Sequence, residues 1–113
     1  MSKQQMGYNS EVQDVAMRLI AASGESRTLA FEALDAAEES DFDQARKLLS
    51  EANVQIEKAH EIQTELLISE ANGNQLPFSS LLAHAQDHFM TSMLAVELIA
   101  RLIKIHVREG ENL

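Results

Sequence analysis

Apolar residues recur along this chain at the three- and four-residue spacing of a helix face. Val12, Val15, Ala16, Leu19, Ile20 and Ser23 begin the pattern, and Leu29, Ala30, Ala33, Leu34 and Ala37 continue it. Asn9 or Ser10 can cap this first helix, while residues 1–10, polar and without periodicity, are expected to form a flexible tail. The helix should end near Glu39, because Ser40-Asp41 offers fresh capping oxygens, with Gln44 three residues beyond Asp41 as in a capping box. Phe42, Ala45, Leu48, Leu49, Ala52, Ile56, Ala59, Ile62, Leu66 and Leu67 then supply the apolar side of a second helix, stopped by Ala71-Asn72-Gly73-Asn74. The stretch Gln75-Leu76-Pro77-Phe78 is expected to be extended, since a residue before proline is pushed out of the α region. Ser79 or Ser80 caps a third helix from about Leu81 to Arg108, with Gly110 beyond its last turn and residues 109–113 as a tail.

Three long helices with short connections predict an all-α, antiparallel up-down-up three-helix bundle, with residues 11–108 as one domain. Gly24 interrupts the first pattern and weakens the case for one continuous helix there. Close approach of a neighbouring helix explains it simply; room left beside a functional group is the sharper reading.

The third helix carries more apolar surface than a lone bundle can cover. At about 100° per residue, Gln86, Glu97, Arg101, Lys104 and Arg108 fall into one narrow polar strip. One apolar sector holds Ala85, Phe89, Val96, Ala100 and Ile103. Another holds Ala95, Ile99 and Leu102 together with His84, His88, Thr91 and His106. A helix of a three-helix bundle hides only a stripe, so the surplus points to self-association through the histidine-bearing side.

Composition narrows the chemistry. The 113 residues carry a formal net charge of −9, which disfavours nucleic acid as a partner and suits proteins with basic faces. No apolar run reaches a membrane span, and the opening MSKQQMGYNS lacks the order of a signal peptide, so a cytoplasmic location without membrane insertion is expected. With no cysteine, disulfides, thiolate metal sites and a cysteine nucleophile are all excluded.

His84, Asp87 and His88 stand at i, i+3 and i+4, so their side chains share one patch of the third helix. A single histidine on an apolar face is commonly just a hydrogen-bonded core residue, but three ionisable groups on one turn are costly to bury without purpose. A metal site is one option. The spacing is that of zinc-binding helices, yet the catalytic version places Glu after the first histidine, where this chain has Ala85. His106, eighteen residues past His88, lies about 27 Å further along the axis and cannot complete a site in one chain. A phosphoryl acceptor is the second option, because neutral imidazole is a competent nucleophile and Gln86, Thr91, Ser92 or His88 could donate hydrogen bonds. No glycine-rich phosphate loop occurs, which disfavours a nucleotide donor. The third option is a helical adaptor or metal-binding bundle without phosphotransfer. The residues alone leave acceptor and adaptor open.

The stretch from Ser80 through His84-Ala85-Gln86-Asp87-His88 to Thr91 resembles the signature of the lactose/cellobiose (N,N′-diacetylchitobiose) class of enzyme IIA components of the phosphoenolpyruvate-dependent sugar phosphotransferase system. Ser23-Gly24-Glu25-Ser26-Arg27-Thr28 to Leu34 is similar to that family's first helix, and Glu57-Lys58-Ala59-His60 to Leu66 to its second. The resemblance runs from about Val12 to His106. It implies a homotrimer of three-helix subunits whose third helices meet on the three-fold axis. It further implies that His84 accepts a phosphoryl group on Nε2 from the carrier protein HPr. The group then passes to a cysteine of the cognate enzyme IIB, in cellobiose- or lactose-type disaccharide uptake. Asp87 from each of three chains would hold a divalent metal ion, usually magnesium. Three converging carboxylates need such a cation or protons to neutralise them. Gln86 and His88 are secondary candidates for contacting the phosphoryl group or orienting His84, and His60 and His106 are expected to be structural or surface residues.

Overall fold

The side chains of Asp41 and Ser79 start two of the three helices. Asp41 accepts a hydrogen bond from the Gln44 backbone N–H at 3.3 Å, and the Ser79 hydroxyl accepts one from that of Leu82 at 3.3 Å. Each satisfies a donor that the first helical turn leaves without a partner. The computed structural model describes residues 3–74 and 76–111. It contains α1 (Lys3–Glu38), α2 (Phe42–Ala71) and α3 (Ser80–Glu111), in an up-down-up order.

Helices α1 and α2 stop in the same way. After α1, the Asp41 N–H bonds to the Ala36 carbonyl at 2.9 Å and the Ser40 N–H to that of Ala37 at 3.0 Å. After α2, the Asn74 N–H reaches the Ser69 carbonyl at 2.9 Å and the Gly73 N–H that of Glu70 at 3.0 Å. This double closure needs a left-handed residue, supplied by Gly73 at φ 89° and by Ser40 at φ 64°.

The helices are longer than the hydrophobic pattern predicts. Helix α1 begins at Lys3, inside the stretch expected to be a tail, because Lys3, Gln4, Gln5 and Met6 favour helix and no proline intervenes. It also runs through Gly24 unbroken. Helix α3 continues past Arg108 to Glu111, so Gly110 lies within the helix rather than beyond it. A Cβ at Gly110 would come within 2.7 Å of the Phe42 ring, so the glycine admits the aromatic that opens α2.

Alanine dominates the core. Ala16, Ala30, Ala33, Ala37, Ala45, Ala52, Ala59 and Ala85 are buried and let the backbones approach closely, while Leu19, Ile56, Phe89, Val96, Ile99 and Ile103 fill the wider spaces. Leu67, expected on the buried side of α2, is exposed. Helix α1 packs along both partners, whereas α2 and α3 meet far less. The result is elongated, 66 × 24 × 18 Å. Its radius of gyration of 17.7 Å exceeds the about 13 Å of a compact chain this long. Among the described residues no helix is long and apolar enough to cross a membrane.

The splayed geometry leaves one face of α3 uncovered. Met90, Leu94, Leu98, Leu102 and Ile105 remain 44% to 60% exposed. They follow one another at helical spacing and continue the line of Asp87 down the helix. Of the residues on the histidine-bearing side expected to self-associate, Leu102 lies in this exposed stripe, whereas Ile99 is buried.

Candidate functional site

The N-terminal third of α3 carries the predicted trio. Ala85, Phe89 and Ser92, one or two turns apart, are buried and anchor this part of the helix against the bundle. That register turns His84 and Asp87 outward and leaves His88 half-buried at the α1 side. The His84 and His88 rings stand edge to face with centroids 6.0 Å apart. Gln86 is half-buried, but two positions along a helix do not share a face. Within one chain it therefore points away from the His84–His88 pair.

His88 is built into its surroundings. Its Nδ1 lies 3.5 Å from the hydroxyl of the buried Ser92, and Gly24 of α1 faces it, so that a Cβ there would sit 3.7 Å from Cε1. That is ordinary contact distance. Gly24 thus lies against His88 rather than His84, and the space does not require a glycine. Burial lowers the proton affinity of His88 first, and the positive charges of Arg27 and His84 lower it further. His88 is consequently held toward the neutral form.

Arg27 is the residue that sequence reasoning missed. From α1 its Nη2 donates to Thr91 Oγ1 at 2.7 Å, and that hydroxyl bonds in turn to the carbonyls of Asp87 at 3.0 Å and His88 at 3.2 Å. Among the described residues the one ion pair is Arg46–Asp43 at 3.4 Å, so Arg27 has no carboxylate partner. The sequence marks it only as a cation in a helix of small residues. Its juxtaposition with Thr91, 64 positions away, comes from the packing of α1 on α3.

Beneath the pair lie three fully buried serines, Ser23, Ser26 and Ser92. Ser26 Oγ donates to the Ser23 carbonyl at 2.7 Å, whereas Ser23 Oγ has no partner among the described residues. His60 sits elsewhere, on α2, with its ring centroid 6.0 Å from that of Phe89, and His106 is half-buried lower on α3.

No group of three His, Cys, Asp or Glu among the described residues is placed to hold a metal. Asp87 offers one exposed carboxylate, a hard oxygen donor of the kind magnesium takes, but one chain supplies only one. What the arrangement can do chemically on its own is present an accessible nucleophile, His84, on a rigid helix. A half-buried histidine and an uncompensated guanidinium lie behind it.

A family model described as "PTS system, Lactose/Cellobiose specific IIA subunit" matches residues 14–107. The N,N′-diacetylchitobiose-specific EIIA component of Escherichia coli (strain K12) is 43% identical over 96 residues, 85% of this chain and 83% of that protein. The lactose-specific EIIA component of Staphylococcus epidermidis is 42% identical over 96 residues, 85% of this chain and 92% of that one. Among solved structures, the cellobiose-specific enzyme IIA of Bacillus anthracis superposes with a TM-score of 0.85 at 33% identity, covering 98% of this chain and 94% of that chain. The IIA(Chitobiose) of Escherichia coli, solved in complex with HPr, gives 0.75 at 39% identity, covering 88% and 96%.

Proposed function

We infer the function from one premise: the chain belongs to the lactose/cellobiose-specific enzyme IIA family of the sugar phosphotransferase system. It is a phosphocarrier. His84 Nε2 accepts a phosphoryl group from the phosphohistidine of HPr and passes it to a cysteine of an enzyme IIB, in the cytoplasm, during uptake of a cellobiose- or lactose-type disaccharide. The observation that carries this reading is the outward placement of His84 on a well-anchored helix. A nucleophile that exchanges its cargo with two different proteins must stand at the surface, yet stay fixed in orientation.

In the transfer the His84 ring enters neutral, with its proton on Nδ1. The Nε2 lone pair bonds to phosphorus as the donor N–P bond breaks, and that electron pair returns to the donor ring; no proton moves. A neutral His88 beside it avoids placing a second imidazolium against the nucleophile and keeps a ring nitrogen available for hydrogen bonding. Gln86 takes part only from a neighbouring copy, given its direction on α3.

The exposed α3 stripe supports assembly as a homotrimer around the third helices. In that assembly three Asp87 carboxylates would hold a divalent cation, with magnesium the best match to hard oxygen donors, and the ion would neutralise their mutual repulsion.

The test is intact-mass spectrometry at mildly alkaline pH after incubation with phosphoenolpyruvate, enzyme I and HPr. Wild type should gain one phosphoryl mass, about 80 Da, and His84→Ala none. Uptake retained by His84→Ala overturns the site. Absence of uptake by folded wild type overturns the phosphocarrier reading in favour of a helical adaptor.

A further inference from the structure

We propose that Arg27 is the residue of this chain that receives the charge of the phosphoryl group, held ready for it by Thr91. The inference rests on the phosphocarrier reading of His84.

Arginine in an acidic protein ordinarily finds a carboxylate. This chain has eighteen Asp and Glu against nine Lys and Arg, yet Arg27, half-buried at the α1–α3 seam, forms no ion pair among the described residues. Among the described residues its side-chain partner is a neutral hydroxyl, Thr91 Oγ1 at 2.7 Å. That hydroxyl has a single proton, directed to the backbone carbonyls of Asp87 and His88 at 3.0 and 3.2 Å. Its lone pairs are therefore left for Arg27, and the guanidinium is oriented without being neutralised. Of its five N–H donors, the remainder stay available. A planar cation fixed in this way is suited to an oxyanion.

Its place in the cluster matters as much as its charge. Thr91, which holds Arg27, stands one turn past His88 on α3, and the His84 and His88 rings are 6.0 Å apart. All of these groups lie on the side of α3 that bears the nucleophile. The migrating group carries its negative charge on three oxygens throughout the transfer, and a positive charge set in advance stabilises it without reorganisation. Gly24, on the same helix one turn before Arg27, faces His88 across this seam. The Arg27–Thr91 contact thus does two things: it ties α1 to α3 and holds a cation one turn along α3 from His88.

A purely structural tether would lower stability and leave the chemistry alone, so kinetics separate the roles. The full chain is charged from phospho-HPr over a range of donor concentrations. The maximal transfer rate and half-saturating concentration are read for wild type, Arg27→Gln, Arg27→Lys and Thr91→Val, with folding checked by circular dichroism. Arg27→Gln should lower the maximal rate about 100-fold, with half-saturation changed less than about threefold. Arg27→Lys, which keeps the charge but not the fork, should recover to within about tenfold of wild type. Thr91→Val, which frees the guanidinium from its tether, should cost about tenfold. A folded Arg27→Gln that transfers at the wild-type rate, while His84→Ala takes no phosphoryl group, overturns the inference and leaves the phosphocarrier reading standing. If Arg27→Gln does not fold, a wild-type rate in both Arg27→Lys and Thr91→Val overturns it equally. A wild type that takes no phosphoryl group overturns both.

Discussion

His88 shows how much of a side chain's chemistry is decided by what packs on it. In sequence it is the second histidine of a pair; in the bundle it packs against Gly24 and Ser92 and feels the charge of Arg27. Burial, then Arg27, then His84 hold its proton affinity below the ordinary value of 6.5. The unfolded chain therefore binds this proton more readily than the folded one, and acid favours unfolding. The stability contributed by neutral His88 is fully present above pH 6.5 and is lost as pH falls through the lower folded value. His88→Gln should accordingly show a smaller drop in thermal midpoint between about pH 7.5 and about pH 5.5 than wild type does. An equal drop in both proteins would contradict this. At this scale His84, Asp87 and His88 were legible, because residues at i, i+3 and i+4 on a helix must share a patch. Arg27 was not legible, because its partner is 64 positions away.

Helix interiors followed the hydrophobic period closely, and helix ends did so less well. The period reports which face is covered, whereas an end depends on a few hydrogen bonds and one backbone angle. Gly73 was readable as a stop, since glycine adopts a left-handed conformation without strain. Ser40 occupies the same position after α1 at φ 64° and was read only as part of the next cap. A side chain in that conformation is strained, so Ser40→Gly should stabilise the fold by about 0.5–1 kcal/mol, net of the flexibility glycine adds to the unfolded chain. A rise in thermal midpoint of about 2–5 °C would register it; a fall would show that the serine is not strained. Gly110 teaches the converse. Read as a terminator, it is a helical residue kept small by the Phe42 ring.

The whole molecule is a slender rod whose α3 keeps one apolar side in water. On the trimeric reading, Leu98→Asp places a charge amid Leu94, Leu102 and Ile105 and should reduce the species seen by sedimentation from an oligomer to the 12.6 kDa chain. If wild type itself sediments as a single chain, the assembly is wrong. Asp87→Leu should act in the opposite direction. It extends the apolar stripe, so the oligomer should persist while bound divalent cation, measured by elemental analysis, disappears. Cation retained by the variant would remove Asp87 from the metal site.

The sequence by itself determined that the chain is three helices, which faces they bury, and where the histidine–aspartate patch lies. These are consequences of local periodicity, which needs no knowledge of distant residues. Tertiary structure alone decided that α1 lies between the other two and that α3 keeps an uncovered stripe. It also decided that Arg27 meets Thr91 behind the histidines. Those outcomes depend on how helices cross and slide against one another, set by the close packing of many small alanine contacts at once rather than by any one segment.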